Sequence, residues 1–484
     1  MPILASSGEL IRSRRQFLRK SAFGFGSLAL AHLLDRDGRA FAAETASSIQ
    51  NPLRAKEPHS PAKAKSVIFI FLQGGLSQVD SFDPKPALAQ WDGKLLPADF
   101  GDGKLLLAQI NAFEARFMQT RRIFKKRGGS GIEISDLFEH TAELADDLAV
   151  IRSCYHESFI HGPALSMLNT GSLRLGAPSL GAWTLYGLGS ESDSLPAYVV
   201  MTDNYLRSSK SLYGTGFLPA TYQGTLVSTS GPTFENLDPP SQISAERQRS
   251  ILNQLNRWNR GHLETREDDS RLNARMSNYE LAFRMQMAAP ELMELAKEPA
   301  HIRELYGLDG EQTGKFGGMC LLARRMVERG VRFVQLYSSG WDGHSECDKS
   351  HRQVAAKMDQ PVAGLLKDLK QQGLLDSTLV VCAGEFGRTP VMQGKDGRDH
   401  NPYGFSAWMA GGGIRGGKVV GATDEFGFAA VEDKVHVNDL HATILELLGL
   451  DHMKLTYFFE GLERRATGVG DSGHNSFASR LIEG

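Results

Sequence analysis

Short apolar runs alternate along this chain with longer segments in which apolar residues recur every three to four positions. The runs at 67–72, 148–151, 331–337 and 379–382 suit strands buried on both faces and are too short for helices. Between the last two runs, helical spacing predicts a crossover helix on Val354, Met358, Val362, Leu365 and Leu369. Strand, helix and strand in this order predict a right-handed parallel unit. The fold class is therefore α/β, with a mostly parallel central sheet and helices on both faces.

Acidic and histidine side chains follow several of these predicted strands. Asp80 comes after the first strand, Asp342 and His344 after the 331–337 run, and Glu385 after the 379–382 run. Ligands of α/β sheets bind where parallel strands end. We therefore expect Asp342 and Glu385 to share one edge of the sheet.

These groups, together with His400 a short loop later, predict a divalent metal site. Carboxylate and imidazole ligands suit zinc, iron or manganese. The predicted ligands are Asp342, His344, Glu385, His400 and Asp80. A structural alternative stays open: Glu385 held by Arg388 or Arg398, His400 on a solvated loop, and Asp80 forming a turn.

His161 is predicted at the start of a helix that ends near Gly171. Backbone N–H groups and the helix dipole favour an anion there, so His161 is the candidate catalytic residue, holding a phosphate or sulfate ester or acting as an acid. The alternative is a helix cap. Lys210, in the polar loop 208–216, and Arg388 are the predicted substrate-binding residues, although the loop is equally consistent with plain surface.

Other segments have weaker patterns. Residues 103–152 predict two helices before the 148–151 strand, and residues 187–330 predict a helical insertion that caps the sheet. The insertion carries an apolar stripe predicted to be core, formed by Ile251, Leu255 and Trp258. Strands are predicted at 405–409 and 418–420, and a capped helix at 438–449.

The amino-terminal sequence pattern predicts a twin-arginine export signal. Ser-Arg-Arg-Gln-Phe-Leu-Arg at 13–19 precedes a Gly/Ala/Leu-rich segment, and small residues at 40–43 suit cleavage. The predicted organisation is a signal peptide at 1–42, a linker at 43–65 and a single α/β domain at 66–484. The expected location is periplasmic or secreted.

Composition changes this picture little. The 484 residues are 41% hydrophobic and 23% charged, as in soluble globular proteins. Without residues 1–42 there are 47 Lys/Arg and 53 Asp/Glu, a net charge of −6 that does not favour nucleic acid as a partner. The apolar segment of the signal is too short and Gly-rich for a transmembrane span. The four cysteines include no CxxC pair and predict neither a zinc ribbon nor a disulfide framework.

Several motifs carry a family resemblance. From His161-Gly162-Pro163 to Thr170-Gly171 the chain resembles the sulfatase nucleophile box, and 358–387 is similar to a segment that ends in an Asp-His metal pair in the alkaline phosphatase and sulfatase superfamily. The whole chain resembles a secreted bacterial family known as domain of unknown function 1501. This resemblance implies an alkaline phosphatase/sulfatase-like fold, ester hydrolysis and a metal. By the resemblance, the ligating groups match Asp342, His344, Glu385 and His400.

The chain departs from the superfamily pattern at three places. His161 stands where a sulfatase has its modifiable cysteine, which excludes sulfatase maturation there. Gln73-Gly74 replaces paired aspartates, and Glu385-Phe386 replaces the Asp-His pair. The ligand set has therefore changed.

Two functions follow from these residues. The first is a metal-dependent hydrolase of phosphate or sulfate esters, in which a cation that activates water replaces the missing side-chain nucleophile. Its substrate would be an anionic small molecule or a polysaccharide ester. The alternative is a catalytically inactive sulfatase-like protein that binds an anionic polymer or a cell-surface partner. A mutase of the same superfamily is disfavoured because export separates it from phosphorylated sugars.

Overall fold

A computed structural model describes most of the chain. The described residues are 52–97, 107, 110–111, 114–204, 206–207, 209–227, 244–263, 276, 279–281, 283–284, 291–469 and 473–482. Every described residue belongs to the compact unit Asn51–Gly484. The predicted signal peptide lies outside the described residues.

The strands of the described chain fall into one large sheet and several small ones. They are β1 (Ser66–Gln73), β2 (Phe124–Arg127), β3 (Ile132–Ser135), β4 (Leu148–Tyr155), β5 (Tyr198–Thr202), β6 (Thr225–Val227), β7 (Phe333–Ser339), β8 (Thr378–Gly384), β9 (Gly387–Gln393), β10 (Gly397–Asn401), β11 (Phe405–Gly411), β12 (Lys418–Val420), β13 (Ala422–Thr423), β14 (Ala430–Glu432), β15 (Val435–His436), β16 (Tyr457–Phe459), β17 (Leu462–Arg465) and β18 (Gly468–Val469).

The helices alternate with these strands. They are α1 (Ala87–Trp91), α2 (Glu139–Ala142), α3 (His161–Thr170), α4 (Leu180–Leu188), α5 (Ala245–Leu263), α6 (Ala300–Leu305), α7 (Gly314–Glu328), α8 (Cys347–Gln371), α9 (Val437–Leu447) and α10 (Ala478–Ile482).

The large sheet has nine strands in the order β12-β4-β11-β8-β1-β7-β5-β6, with β15 also pairing to β4. Every pairing is parallel except those of β11, which runs antiparallel to both β8 and β4. The predicted parallel relation of the 331–337 and 379–382 strands is confirmed, with β1 between them. The carboxyl ends of β1, β7 and β8 therefore meet at one edge.

Both faces of the sheet are covered by helices, as predicted. Alternate residues of β1 enter two separate cores, because side chains alternate between the faces of a strand. Ile68 and Ile70 pack in the core that includes residues of α7 and α8. Phe69 and Phe71 pack in the core that includes residues of α3, α4 and α9. All four cysteines are free and buried, and Cys154, Cys320 and Cys382 belong to these two cores.

The helical cap predicted for 187–330 is not confirmed. This segment supplies β5 and β6 to the central sheet, and α7 packs in the core beneath it. The stripe predicted to be core is also wrong in part, since Ile251 is 43% and Trp258 63% exposed on α5. Within 114–147, an antiparallel hairpin of β2 and β3 and the short helix α2 replace the predicted helices.

Residues between 52 and 65 make backbone contacts with the domain. Lys63 N and Ala64 N both donate to Leu447 O, and Lys56 N donates to Leu188 O. No helix in the described part of the chain combines the length and apolar character needed to cross a membrane.

Candidate metal centre

Four side chains from three parts of the chain meet where β7 ends. Asp342 and His344 lie in the loop after β7, His161 begins α3, and His400 lies on β10. One potential ligand atom from each residue lies within 4.8 Å of the others. Strand order brings them together, because β7, β1 and β8 end at the same edge.

Each of the three histidines is oriented through its Nδ1 atom. His161 Nδ1 lies 2.9 Å from Glu385 Oε1, His344 Nδ1 lies 2.6 Å from Gln393 Oε1, and His400 Nδ1 lies 2.7 Å from Phe159 O. The partner atom is an oxygen acceptor in each case, so Nδ1 carries the proton that it donates. The neutral tautomer then leaves a lone pair on Nε2 of each ring.

The three Nε2 atoms converge on the Asp342 carboxylate. His344 Nε2 is 3.0 Å and His400 Nε2 3.5 Å from Oδ1, and His161 Nε2 is 3.2 Å from Oδ2. Nevertheless, His161 Nε2 is buried without a hydrogen-bond partner. A nitrogen lone pair facing a carboxylate oxygen is repulsive unless a cation or a second ring proton lies between them. This arrangement fits a cation.

The donor set suits a single transition-metal ion. Three imidazoles and one carboxylate are ligands of zinc, and also of iron and manganese. Two ligands about 2.0–2.1 Å from one ion can be at most about 4.2 Å apart. The ligand atoms lie within 4.8 Å of one another, so the widest pair must close by at least about 0.6 Å when an ion binds. A metal-ligating histidine typically donates the N–H of its second ring nitrogen to an oxygen acceptor, as these three rings do.

Two arginines also hold Asp342. Arg388, fully buried, places its guanidinium 2.6 Å from Oδ1, and Arg207 places its own 2.8 Å from Oδ2. Burial raises the pKa of Asp342, but hydrogen bonds from the three histidine rings, when they carry a second proton on Nε2 with no ion bound, and the charge of Arg388 outweigh it and hold that pKa far below its usual range. Asp342 is therefore an anion throughout the physiological range.

Backbone geometry at the end of β1 allows this close packing. Gly74 has φ +118°, and a Cβ on it would lie 2.4 Å from Asp342 N. Its N–H donates to both oxygens of Glu385, at 2.9 and 3.1 Å. The Phe386 ring stacks on His400, with ring centroids 4.3 Å apart. A glycine at this position is needed both for its conformation and for its lack of a side chain.

The predicted site residues separate into two groups. Asp342, His344 and His400 lie in the cluster, and His161, predicted to be catalytic, is the fourth member. Glu385 is next to the cluster and completely buried, with its Oε1 on His161 rather than among the four ligand atoms.

The remaining predicted residues take other partners. Asp80 pairs with the buried guanidinium of Arg398 at 2.8 Å, away from the cluster. Arg388 contacts Asp342, as given above. Lys210 is exposed on the short turn Ser209–Tyr213, which packs near α3. The loop predicted around His400 is in fact a hairpin of β9 and β10.

Sequence reasoning missed Arg207 and Gln393. Arg207 reaches Asp342 from a loop after β5, and its backbone N–H donates to Gln73 Oε1 at 3.0 Å. Gln393 ends β9, where the hairpin brings it to His344. Neither residue belongs to a motif, since each acts through a contact that only the folded chain creates.

Replacing Glu385 with Gln tests its role as a positioning residue. An amide presents a weaker acceptor to His161 Nδ1, so we expect metal affinity to fall about 10–100-fold while one ion still binds at saturation. Competition titration against a chromogenic chelator measures the affinity. Glu346→Gln removes an exposed carboxylate nearby and should leave affinity unchanged. Complete loss of the ion in Glu385→Gln would instead make Glu385 a direct ligand.

Comparisons with known proteins identify one family and several solved structures of low sequence identity. The model of a family described as "Protein of unknown function (DUF1501)" matches residues 64–475. No curated protein matches the sequence.

Solved structures resemble the chain at low identity. They include the PsFucS1 sulfatase from Pseudoalteromonas sp., at 14% identity over 93% of this chain and 76% of that one, with a TM-score of 0.37. The alkaline phosphatase from the Antarctic bacterium TAB5 is 8% identical over 80% of this chain and 99% of that one, with a TM-score of 0.32. An alkaline phosphatase superfamily protein from Vibrio parahaemolyticus is 11% identical over 84% and 72%, with a TM-score of 0.30.

Proposed function

This chain belongs to the DUF1501 family, described as proteins of unknown function, and we propose that it is an exported, metal-dependent hydrolase of phosphate or sulfate esters. The observation that carries the proposal is the convergence of three Nε2 atoms on Asp342, each ring held by an acceptor on Nδ1. The export part of the proposal rests on the twin-arginine segment at 13–19.

The charge of the site suits an anionic substrate. A divalent ion together with the guanidiniums of Arg207 and Arg388 outweighs the carboxylates of Asp342 and Glu385 by two positive charges. In a partly buried site such charge is screened less than on the surface. The phosphoryl or sulfuryl group of an ester is the matching ligand.

The chain supplies positioning while the ion supplies the chemistry. When bound, a divalent ion polarises an ester oxygen and lowers the pKa of water. Arg388 fixes the orientation of Asp342 through Oδ1. Glu385 holds His161 and is itself held by Gly74 N–H. Arg207, 31% exposed, contacts Asp342 and lines the adjacent cleft, where it can contact a bound anion.

Hydrolysis of two chromogenic esters tests the proposal. Protein purified after native export is expected to cleave p-nitrophenyl phosphate or p-nitrophenyl sulfate, and a chelator is expected to abolish that activity. Asp342→Asn should reduce turnover to background, because the charge that binds the ion is lost. His301→Ala, which alters an exposed histidine on α6, is the matched control.

A stoichiometric ion without turnover of either ester would contradict the hydrolase. That result would favour the alternative, a protein that binds an anionic partner at the same centre.

A further inference from the structure

A cleft of about 650 Å³ opens directly beside Asp342. It is lined by the ends of β1 and β7, the loop after β5, and the facing sides of α7 and α8. Its volume lies in the ~300–1,000 Å³ range of pockets that enclose drug-sized ligands. A single tetrahedral anion at the metal centre would leave most of this space empty, so the cleft is sized for the rest of a substrate.

Two lysines face this cleft from different helices. Lys315 lies in the first turn of α7 and Lys357 in the middle of α8, and both line the cavity. Within the described residues, neither ammonium group makes a hydrogen bond or an ion pair. Both charges nevertheless act on Asp203: burial raises the pKa of that carboxyl, and the two lysines oppose the rise. Both lysines and Asp203 line the same cavity.

The acidic residues of the cleft form no ion pair with these lysines in the described part of the chain. Asp203 accepts hydrogen bonds from Ser339 N and Oγ, the shorter at 2.7 Å. Asp342 is held by its two arginines. Glu311 is the remaining carboxylate of the lining, and it makes no ion pair with either lysine among the described residues. Both ammonium groups are therefore open to an anionic ligand.

We propose that Lys315 and Lys357 form a second anion subsite, so that the substrate is an ester with at least one further negative group beyond the one at the metal centre. This inference rests on the proposed function and narrows its substrate class to polyanions. Gln312 and Gln353 also line the cleft. Their side-chain amides can donate hydrogen bonds to, and accept them from, hydroxyl groups that lie between the two negative groups of the substrate. A polyhydroxylated polyanion matches this lining.

Direct binding by calorimetry separates the subsite from the metal centre. The probes are a short dextran sulfate oligosaccharide, which carries many sulfates, and inorganic sulfate, which carries one centre of charge. We expect the Lys315→Gln/Lys357→Gln variant of the metal-loaded protein to bind dextran sulfate about tenfold more weakly than wild type. Its affinity for inorganic sulfate should not change, since the metal centre is intact.

A matched control removes the same charge elsewhere. Lys125→Gln/Lys126→Gln neutralises two exposed lysines on β2, outside the cleft. Equal weakening in both variants would show a general effect of net charge and overturn the subsite, as would unchanged affinity in the cleft variant. Failure of the proposed function gives a different result, namely no bound ion and no ester hydrolysis in wild type, whatever the dextran sulfate affinities are.

Discussion

Replacing His344 and His400 together with Ala is expected to remove the metal ion from the protein. Each ring contributes one of the four converging ligand atoms. Loss of a single outer partner of a metal-ligating histidine already costs about 10–100-fold in affinity, and loss of two direct ligands must cost more. Elemental analysis of protein purified after native export should find one ion per chain in wild type and almost none in the variant.

The same change should leave the fold intact. Both rings lie at the edge of the sheet, and their removal does not interrupt a strand. The circular dichroism spectrum should match wild type, and melting temperature should respond to added zinc in wild type only. His301→Ala serves as the control. An ion retained at full stoichiometry in the double variant would rule out this cluster as the metal centre.

Replacing Asp80 with Asn is expected to destabilise the protein by about 3–5 kcal/mol, because it leaves a buried guanidinium without a counter-charge. Arg398 is 1% exposed, and its Nε and Nη2 donate to Asp80 at 2.8 and 3.2 Å. Ser77 Oγ also donates to Asp80. Urea denaturation gives the free energy of unfolding. Metal content should stay at one ion per chain, since Asp80 is not in the cluster.

The pH dependence of this loss has a definite sign. Burial raises the pKa of Asp80, but the charge of Arg398 and hydrogen bonds from Ser77 outweigh it, so the folded-state pKa is lowered. A carboxyl group with a lowered pKa stabilises the folded state at pH values above its unfolded-state pKa of about 3.9. This stabilisation is lost as the pH falls below that value. The difference in the free energy of unfolding between wild type and Asp80→Asn should therefore be largest near neutral pH and should shrink below about pH 4.

Two further variants complete the test. Lys349→Met breaks an exposed pair with Glu346 and should cost at most about 1 kcal/mol. Asp80→Leu combined with Arg398→Met removes both buried charges and should be less destabilising than Asp80→Asn alone. Equal stability of Asp80→Asn and wild type at pH 7 would contradict the assigned role of this pair.

The sequence by itself determined the central strands and the groups at their ends. The apolar runs of β1, β7 and β8 are buried on both faces, which is why they appear as mostly hydrophobic segments, with Gln335 as a polar residue inside β7. The parallel order of β7 and β8 followed from the helix between them, and it predicted that Asp342 and Glu385 share one edge. Short-range periodicity carries this information because burial fixes residue type.

The tertiary structure alone decided which of those groups form the centre. His161 and Glu385 are 224 positions apart, and their hydrogen bond turns one predicted ligand into a positioning residue and a predicted catalytic histidine into a candidate ligand. Asp80 likewise takes Arg398, 318 positions away, as its partner. Whether a side chain acts as a metal ligand, joins an ion pair or positions a ligand depends on differences of a few tenths of an ångström in the distances between segments far apart in sequence. Local sequence patterns do not encode such distances, because they arise only when the strands and helices pack.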